Sequence, residues 1–149
     1  QSRFGTPGDV PIGDIFDLVA GDRAVKIVAR PPVGNTMSAD ELLEIFDSAL
    51  DGILQPTHSN LYDVLIEISA LGVTKGSTLA KVVATKGYEA ADVAAVGDMP
   101  NDAPMLGWAG SPFVVANAHP SLLAEFHNRI GANDEDAVGA LLLDLAGEL

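Results

Sequence analysis

The run Val93-Ala94-Ala95-Val96 is apolar at every position and passes directly into Gly97-Asp98-Met99-Pro100-Asn101-Asp102. A strand with one wet face alternates polar and apolar residues; one that is apolar throughout must be covered on both faces, as in a parallel sheet flanked by helices. A second such run, Pro112-Phe113-Val114-Val115-Ala116, follows a short helical pattern. These segments point to an α/β fold more directly than the composition does. In open parallel sheets ligands bind beyond the carboxyl ends of the strands, which is where Gly97-Asp98 falls.

The rest of the chain fills in around these runs. Apolar residues at 12, 15, 16 and 19 predict a helix within Pro11–Ala20, closed by Gly21. Residues 24–29 alternate like a strand and stop at Pro31-Pro32. Ser38 with Glu41 forms a capping box for a helix over 39–50, whose stripe is Leu42, Leu43, Ile45, Phe46 and Leu50. Extended stretches around 52–56 and 62–68 are expected to pair through the turn His58-Ser59-Asn60, with Val64, Ile66 and Ile68 on one face. After Gly72 the pattern changes. Ser77 is the expected cap of a helix through Leu79, Val82 and Val83, ending near Gly87, and further helices are expected just after Asp102, over 121–129 and over 136–147. The chain divides near residue 71, into a small α/β piece over 1–70 and a Rossmann-like piece over 71–149.

Composition sets the outer limits. The 149 residues are 48% hydrophobic and 19% charged, which suits a globular protein. Twenty-one acids against eight bases give a formal charge of −13, which argues against a nucleic-acid partner. A phosphorylated small molecule remains compatible, because a bound cation reverses the local sign. Cysteine is absent, which removes disulfides, thiolate catalysis and cysteine–zinc sites. No apolar run approaches the roughly 20 residues that span a bilayer, and Gln1–Gly5 lacks a signal peptide's apolar segment. A cytoplasmic protein without membrane contact is the expectation.

Asp98 and Asp102 lie four residues apart at a strand end, with a glycine that lets the backbone turn closely. Two carboxylates there suit Mg2+, which prefers oxygen ligands shared with phosphate and water. Asn101 or Asp102 before Ala103-Pro104 is also a good helix cap, which accounts for Asp102 but not Asp98. Lys75, in Gly72-Val73-Thr74-Lys75-Gly76-Ser77, is placed to neutralise a phosphoryl group. His58, His119 and His127 show no zinc-type spacing, so no zinc site is expected from them. Trp108 is expected in the core, Asp134-Glu135-Asp136 at a helix cap rather than in a calcium loop, and Glu44, Asp47 and Asp51 on a solvated face.

Val73-Thr74-Lys75-Gly76, the loop Gly97–Asp102 with Pro104-Met105-Leu106, and Val115-Ala116-Asn117-Ala118 together resemble the C-terminal half of a haloacid dehalogenase superfamily phosphatase of the Cof-type branch. The resemblance runs over roughly residues 66–147, with Asn133–Val138 echoing the family's final helix start. It implies the C-terminal half of a Rossmann-like core over 71–149 and part of an α/β cap over 1–70. It further implies a Mg2+-dependent phosphatase that hydrolyses small phosphate monoesters, such as sugar or cofactor phosphates, through an aspartyl-phosphate. Lys75 is then the phosphate-facing lysine, Asp98 a metal ligand and Asp102 a second acid at the metal, direct or through water. Asn101 contacts phosphate or supports its loop, and Asn117 belongs beside the site.

The family's nucleophile stands in an Asp-x-Asp motif after an N-terminal strand. The only such spacing here, Asp134 to Asp136, follows Gly131-Ala132-Asn133 and no strand. The chain is therefore expected to be an inactive fragment beginning within the cap, with a noncatalytic binding or assembly module of the same fold as the alternative. Loss of the nucleophile-bearing strand is expected to leave the 93–96 strand with an open edge, covered by self-association or by a retained N-terminal piece.

Overall fold

The computed structural model describes residues 11–21, 24–60 and 63–147. Gln1–Gly5, and Tyr62 at the start of the second predicted extended stretch, lie outside the described residues. Two three-stranded sheets form, one antiparallel and one parallel.

In the first half, helix α1 (Ile15–Leu18) precedes β1 (Ile27–Ala29), α2 (Ala39–Leu50), β2 (Leu54–Thr57) and β3 (Ile66–Ala70). The strand order is β1-β3-β2, and both neighbours run antiparallel to β3. The predicted pairing of β2 with β3 is present, in the register Leu54↔Ala70 to Thr57↔Glu67. Helix α2 begins at the predicted capping box: Glu41 N–H donates to Ser38 Oγ at 3.2 Å, and Ser38 N–H donates to Glu41 Oε2 at 2.8 Å. Its Leu42 joins Ile66 and Ile68 in a small core, with Leu43, Phe46 and Leu50 packed around it.

The helix expected within Pro11–Ala20 is only the single turn α1, capped by Asp14 and without a buried residue. Ile12 and Phe16 are 97% and 81% exposed. One turn cannot meet the cost of helix nucleation unless its apolar face is packed, and none of its residues is buried.

The second half reads α3 (Lys75–Thr85), β4 (Ala94–Gly97), α4 (Ala103–Trp108), β5 (Ser111–Val115), α5 (Pro120–Glu125), β6 (Arg129–Ile130) and α6 (Ala137–Gly147). The sheet order is β4-β5-β6, all parallel, as the uniformly apolar runs predict; Ala95, Val114 and Val115 are buried, while Ala94 at the start of β4 is exposed. Leu106, Val114, Val115 and Leu122 form the centre of the larger core, and Trp108, half-buried, ends α4. Among the described residues β4 has no neighbour on its outer edge.

Three boundaries depart from the sequence pattern. Thr74, not Ser77, caps α3: Ser77 N–H donates to Thr74 Oγ1 and Thr74 N–H to Ser77 Oγ, both at 3.0 Å. Ser77 is thus the third helical residue of a capping box, and the helix starts at Lys75. The helix expected over 121–129 stops at Glu125, because Phe126 turns into the core and Arg129–Ile130 pairs with β5 instead. The helix expected from 136 begins at Ala137, since Asp136 takes a left-handed conformation with φ 55°. No helix of the described residues is long and apolar enough to cross a membrane.

Candidate active site

The parallel sheet sends β4 into a loop at its carboxyl end, where Gly97 and Asp98 begin the turn. A Cβ on Gly97 would come within 2.6 Å of Asp102 Cβ, so only glycine lets this loop fold back on itself. The loop closes through one carboxylate. Asp102 Oδ2 accepts the backbone N–H groups of Asp98 at 3.0 Å and Met99 at 3.1 Å. Asp102 is 3% exposed and makes no hydrogen bond to the start of α4, where it was an expected cap. It caps the 3-10 turn Pro100–Asp102 from within instead.

Lys75 reaches this carboxylate from the first position of α3. Its Nζ donates to Asp102 Oδ1 at 2.5 Å, with half of the lysine side chain exposed. The approach depends on Gly76, whose Cβ, if present, would lie 2.1 Å from the Pro104 carbonyl oxygen. Absence of that atom lets α3 lie against the start of α4, so the Lys75-Gly76 pair works as a unit: one residue permits the contact and the other uses it.

Asp98, half-buried, lies within electrostatic reach of both groups. Burial, then the charge and hydrogen bonding of Asp102, push its carboxyl above the ordinary aspartate value, while the Lys75 ammonium pulls the other way. Two carboxylates thus share one lysine. Hard oxygen donors with an excess of negative charge are a donor set suited to Mg2+, and Asp98 is the less committed of the two, since Asp102 already serves two amides and the lysine.

A cavity of about 400 Å3 opens onto Lys75, Gly97, Asp98, Asp102 and Asn133. The structure therefore brings together Lys75, Asp98 and Asp102, the three charged residues singled out from the sequence. Asn101 instead lines a larger cleft of about 750 Å3 between the two halves, which Lys75 also borders, and its Oδ1 is buried without a hydrogen-bond partner. Asn117 is exposed and paired with Asn133: its Nδ2 donates to Asn133 Oδ1 at 2.8 Å, and Asn133 N–H donates to its Oδ1 at 3.0 Å. Asn133 was expected only at a helix start. The family resemblance over Asn133–Val138 was the one signal that pointed to it.

A profile of the haloacid dehalogenase-like hydrolases matches residues 2–142. The chain is 42% identical over 57 residues, 38% of its length, to a phosphoglycolate phosphatase of Methanothrix thermoacetophila. It is 40% identical over 60 residues, 40% of its length, to an HMP-PP phosphatase of Escherichia coli O8. The aligned segments span 26% and 22% of those two proteins. A solved phosphatase-superfamily structure, BT1666 from Bacteroides thetaiotaomicron, superposes with a TM-score of 0.72 at 18% identity, over 91% of this chain and 47% of that one. The chain belongs to the haloacid dehalogenase-like hydrolases.

Proposed function

We propose that the parent protein is a Mg2+-dependent phosphatase of small phosphate monoesters, such as sugar or cofactor phosphates. The observation that carries this is the convergence of Lys75, Asp98 and Asp102 on one cavity at the carboxyl end of a parallel strand. The names of its relatives, a phosphoglycolate phosphatase and an HMP-PP phosphatase, support the substrate class.

Asp98 and Asp102 would hold Mg2+, Asp98 directly and Asp102 directly or through water. Bound there, the ion would neutralise charge on the phosphoryl group. Lys75 offers its ammonium to the phosphoryl oxygens, and its contact with Asp102 holds it in place. Asn101 contacts phosphate or supports the loop, and Asn117 acts at the site's margin through Asn133. The nucleophile is an aspartate outside these 149 residues. It attacks phosphorus, expels the alcohol and forms an aspartyl-phosphate that water hydrolyses.

On this proposal residues 1–70 form part of a cap and 71–149 the C-terminal half of the catalytic core, and the protein works in the cytoplasm without nucleic-acid or membrane partners. The open edge of β4 is where the nucleophile-bearing strand pairs in the parent, and where self-association or a retained N-terminal piece covers the isolated chain. The 149-residue chain by itself is inactive. Phosphate release from an ester panel tests this: the full-length parent turns over with Mg2+ and the isolated chain does not. Mg2+-dependent turnover by the purified chain, free of contaminating phosphatase, would contradict it.

A further inference from the structure

Asp40, His58 and His119 meet at the seam between the two halves. Asp40 is the second residue of α2, His58 follows β2 directly, and His119 is the N-cap of α5. His58 Nε2 lies 2.7 Å from Asp40 Oδ1, and His119 Nε2 lies 3.2 Å from Asp40 Oδ2. One ligand-capable atom from each residue falls within 4.8 Å of the others. The two rings meet edge-on, with centroids 5.6 Å apart. Both imidazoles are buried, while the Asp40 side chain is 53% exposed.

His58 is fully enclosed; its Nε2 faces Asp40 and its Nδ1 has no hydrogen-bond partner. Its one polar contact is therefore aimed at the half-exposed carboxylate on which His119 Nε2 also converges. Two buried imidazole nitrogens converging with a carboxylate oxygen are a donor set for a borderline divalent metal, unlike the oxygen-only pair at Asp98 and Asp102. We propose that Asp40, His58 and His119 form a binding site for a first-row transition ion of the zinc class.

The far side of His119 suits this role. Its Nδ1 accepts the Ser121 backbone N–H at 3.3 Å and lies 2.8 Å from Ser121 Oγ; metal binding would shift the ring proton to Nδ1, where the Ser121 hydroxyl accepts it, and free the Nε2 lone pair. Such outer partners commonly hold the rings of metal-ligating histidines. The exposed side of Asp40 leaves the remaining coordination positions to water. An ion here ties α2 and the end of β2 to the start of α5. Because His119 N–H also donates to the Asp98 carbonyl at 2.8 Å, the clasp borders the Asp98 loop while sharing no side-chain ligand with it.

Titration of the 149-residue chain with Co2+ in millimolar Mg2+, followed by visible absorption, tests the site. We expect ligand-field bands that saturate at one Co2+ per chain, are displaced by Zn2+ and persist in excess Mg2+. Asp40→Asn, made at an exposed side chain, and His58→Gln should each weaken binding at least about tenfold. Imidazole 15N shifts of His58 and His119 in the unmodified chain, with and without Zn2+, report the same ligation without relying on any variant's folding; both Nε2 resonances should move. Absence of bands and of 15N changes, binding that Asp40→Asn leaves intact in the folded protein, or loss of binding in excess Mg2+ would overturn the proposal.

Discussion

Lys75 Nζ lies 2.5 Å from Asp102 Oδ1, and this contact joins the first turn of α3 to the loop that ends β4. Each partner gives the other its role. Asp102, buried and already accepting two backbone amides, gains a counter-charge; Lys75, half-exposed, gains a fixed direction beside Asp98. A lysine in a turn after Gly72 is unremarkable in sequence, and its position against Asp102 makes it a candidate for chemistry.

Replacing Lys75 with Met keeps most of the stem and removes the charge. Solvent screens the exposed end of this pair, so the loss in stability should be small, about 1 kcal/mol by urea denaturation. Asp102→Asn should cost more, about 2–4 kcal/mol, because it disturbs a buried acceptor of two amides as well as the ion pair. Equal costs for the two substitutions would mean that the backbone bonds to Asp102 contribute little.

Gly76→Ala should destabilise the chain by about 3 kcal/mol, since the added carbon meets the Pro104 carbonyl and must push α3 away from α4. Gly107, also helical, has open space where a Cβ would stand. Gly107→Ala should therefore stabilise by about 0.5–1 kcal/mol. Paired denaturation curves check both, and a neutral Gly76→Ala would show that the two helices separate freely.

The box at the start of α2 has a pH signature. The Ser38 backbone N–H and hydroxyl both hydrogen-bond the Glu41 carboxylate and hold its pKa below the ordinary value. A group depressed in the folded state contributes stability that is present above its unfolded pKa and is lost as pH falls through the folded one. A 13C NMR titration should place Glu41 below the ordinary range in the native chain and nearer to it in Ser38→Ala. An unchanged Glu41 midpoint in that variant would mean that the backbone N–H of residue 38, which the substitution keeps, holds the carboxyl down without the hydroxyl.

Local chemistry made much of this fold legible. The capping box at Ser38 and Glu41 placed α2, and the unbroken apolarity of residues 93–96 and 112–116 placed two parallel strands. Short elements that owe their form to tertiary contact were not legible. Arg129–Ile130 is two residues long and carries no periodicity, so β6 exists only because β5 offers it an edge. The apolar spacing at 12, 15, 16 and 19 suggested a longer helix than residues left unburied can sustain.

The candidate site divides along the same line. Asp98 and Asp102 share one loop and were visible as a pair, and Lys75 gained meaning from the motifs after it. Asn133 was missed as a cavity residue because its link to Asn117 spans 16 positions. The Asp40, His58 and His119 cluster was invisible for the same reason, with Asp40 lying 18 and 79 positions from its partners. Spacing within one motif, the basis for expecting no zinc site, cannot report ligands drawn from three elements.

Phosphate release by the full-length parent, measured with and without Mg2+ for the native sequence and for Asp98→Asn, tests the central claim most directly. The expected result is Mg2+-dependent turnover of a small phosphate monoester that Asp98→Asn lowers by about a hundredfold or more while the protein stays folded. Turnover that survives both chelation of Mg2+ and the Asp98→Asn substitution would contradict it.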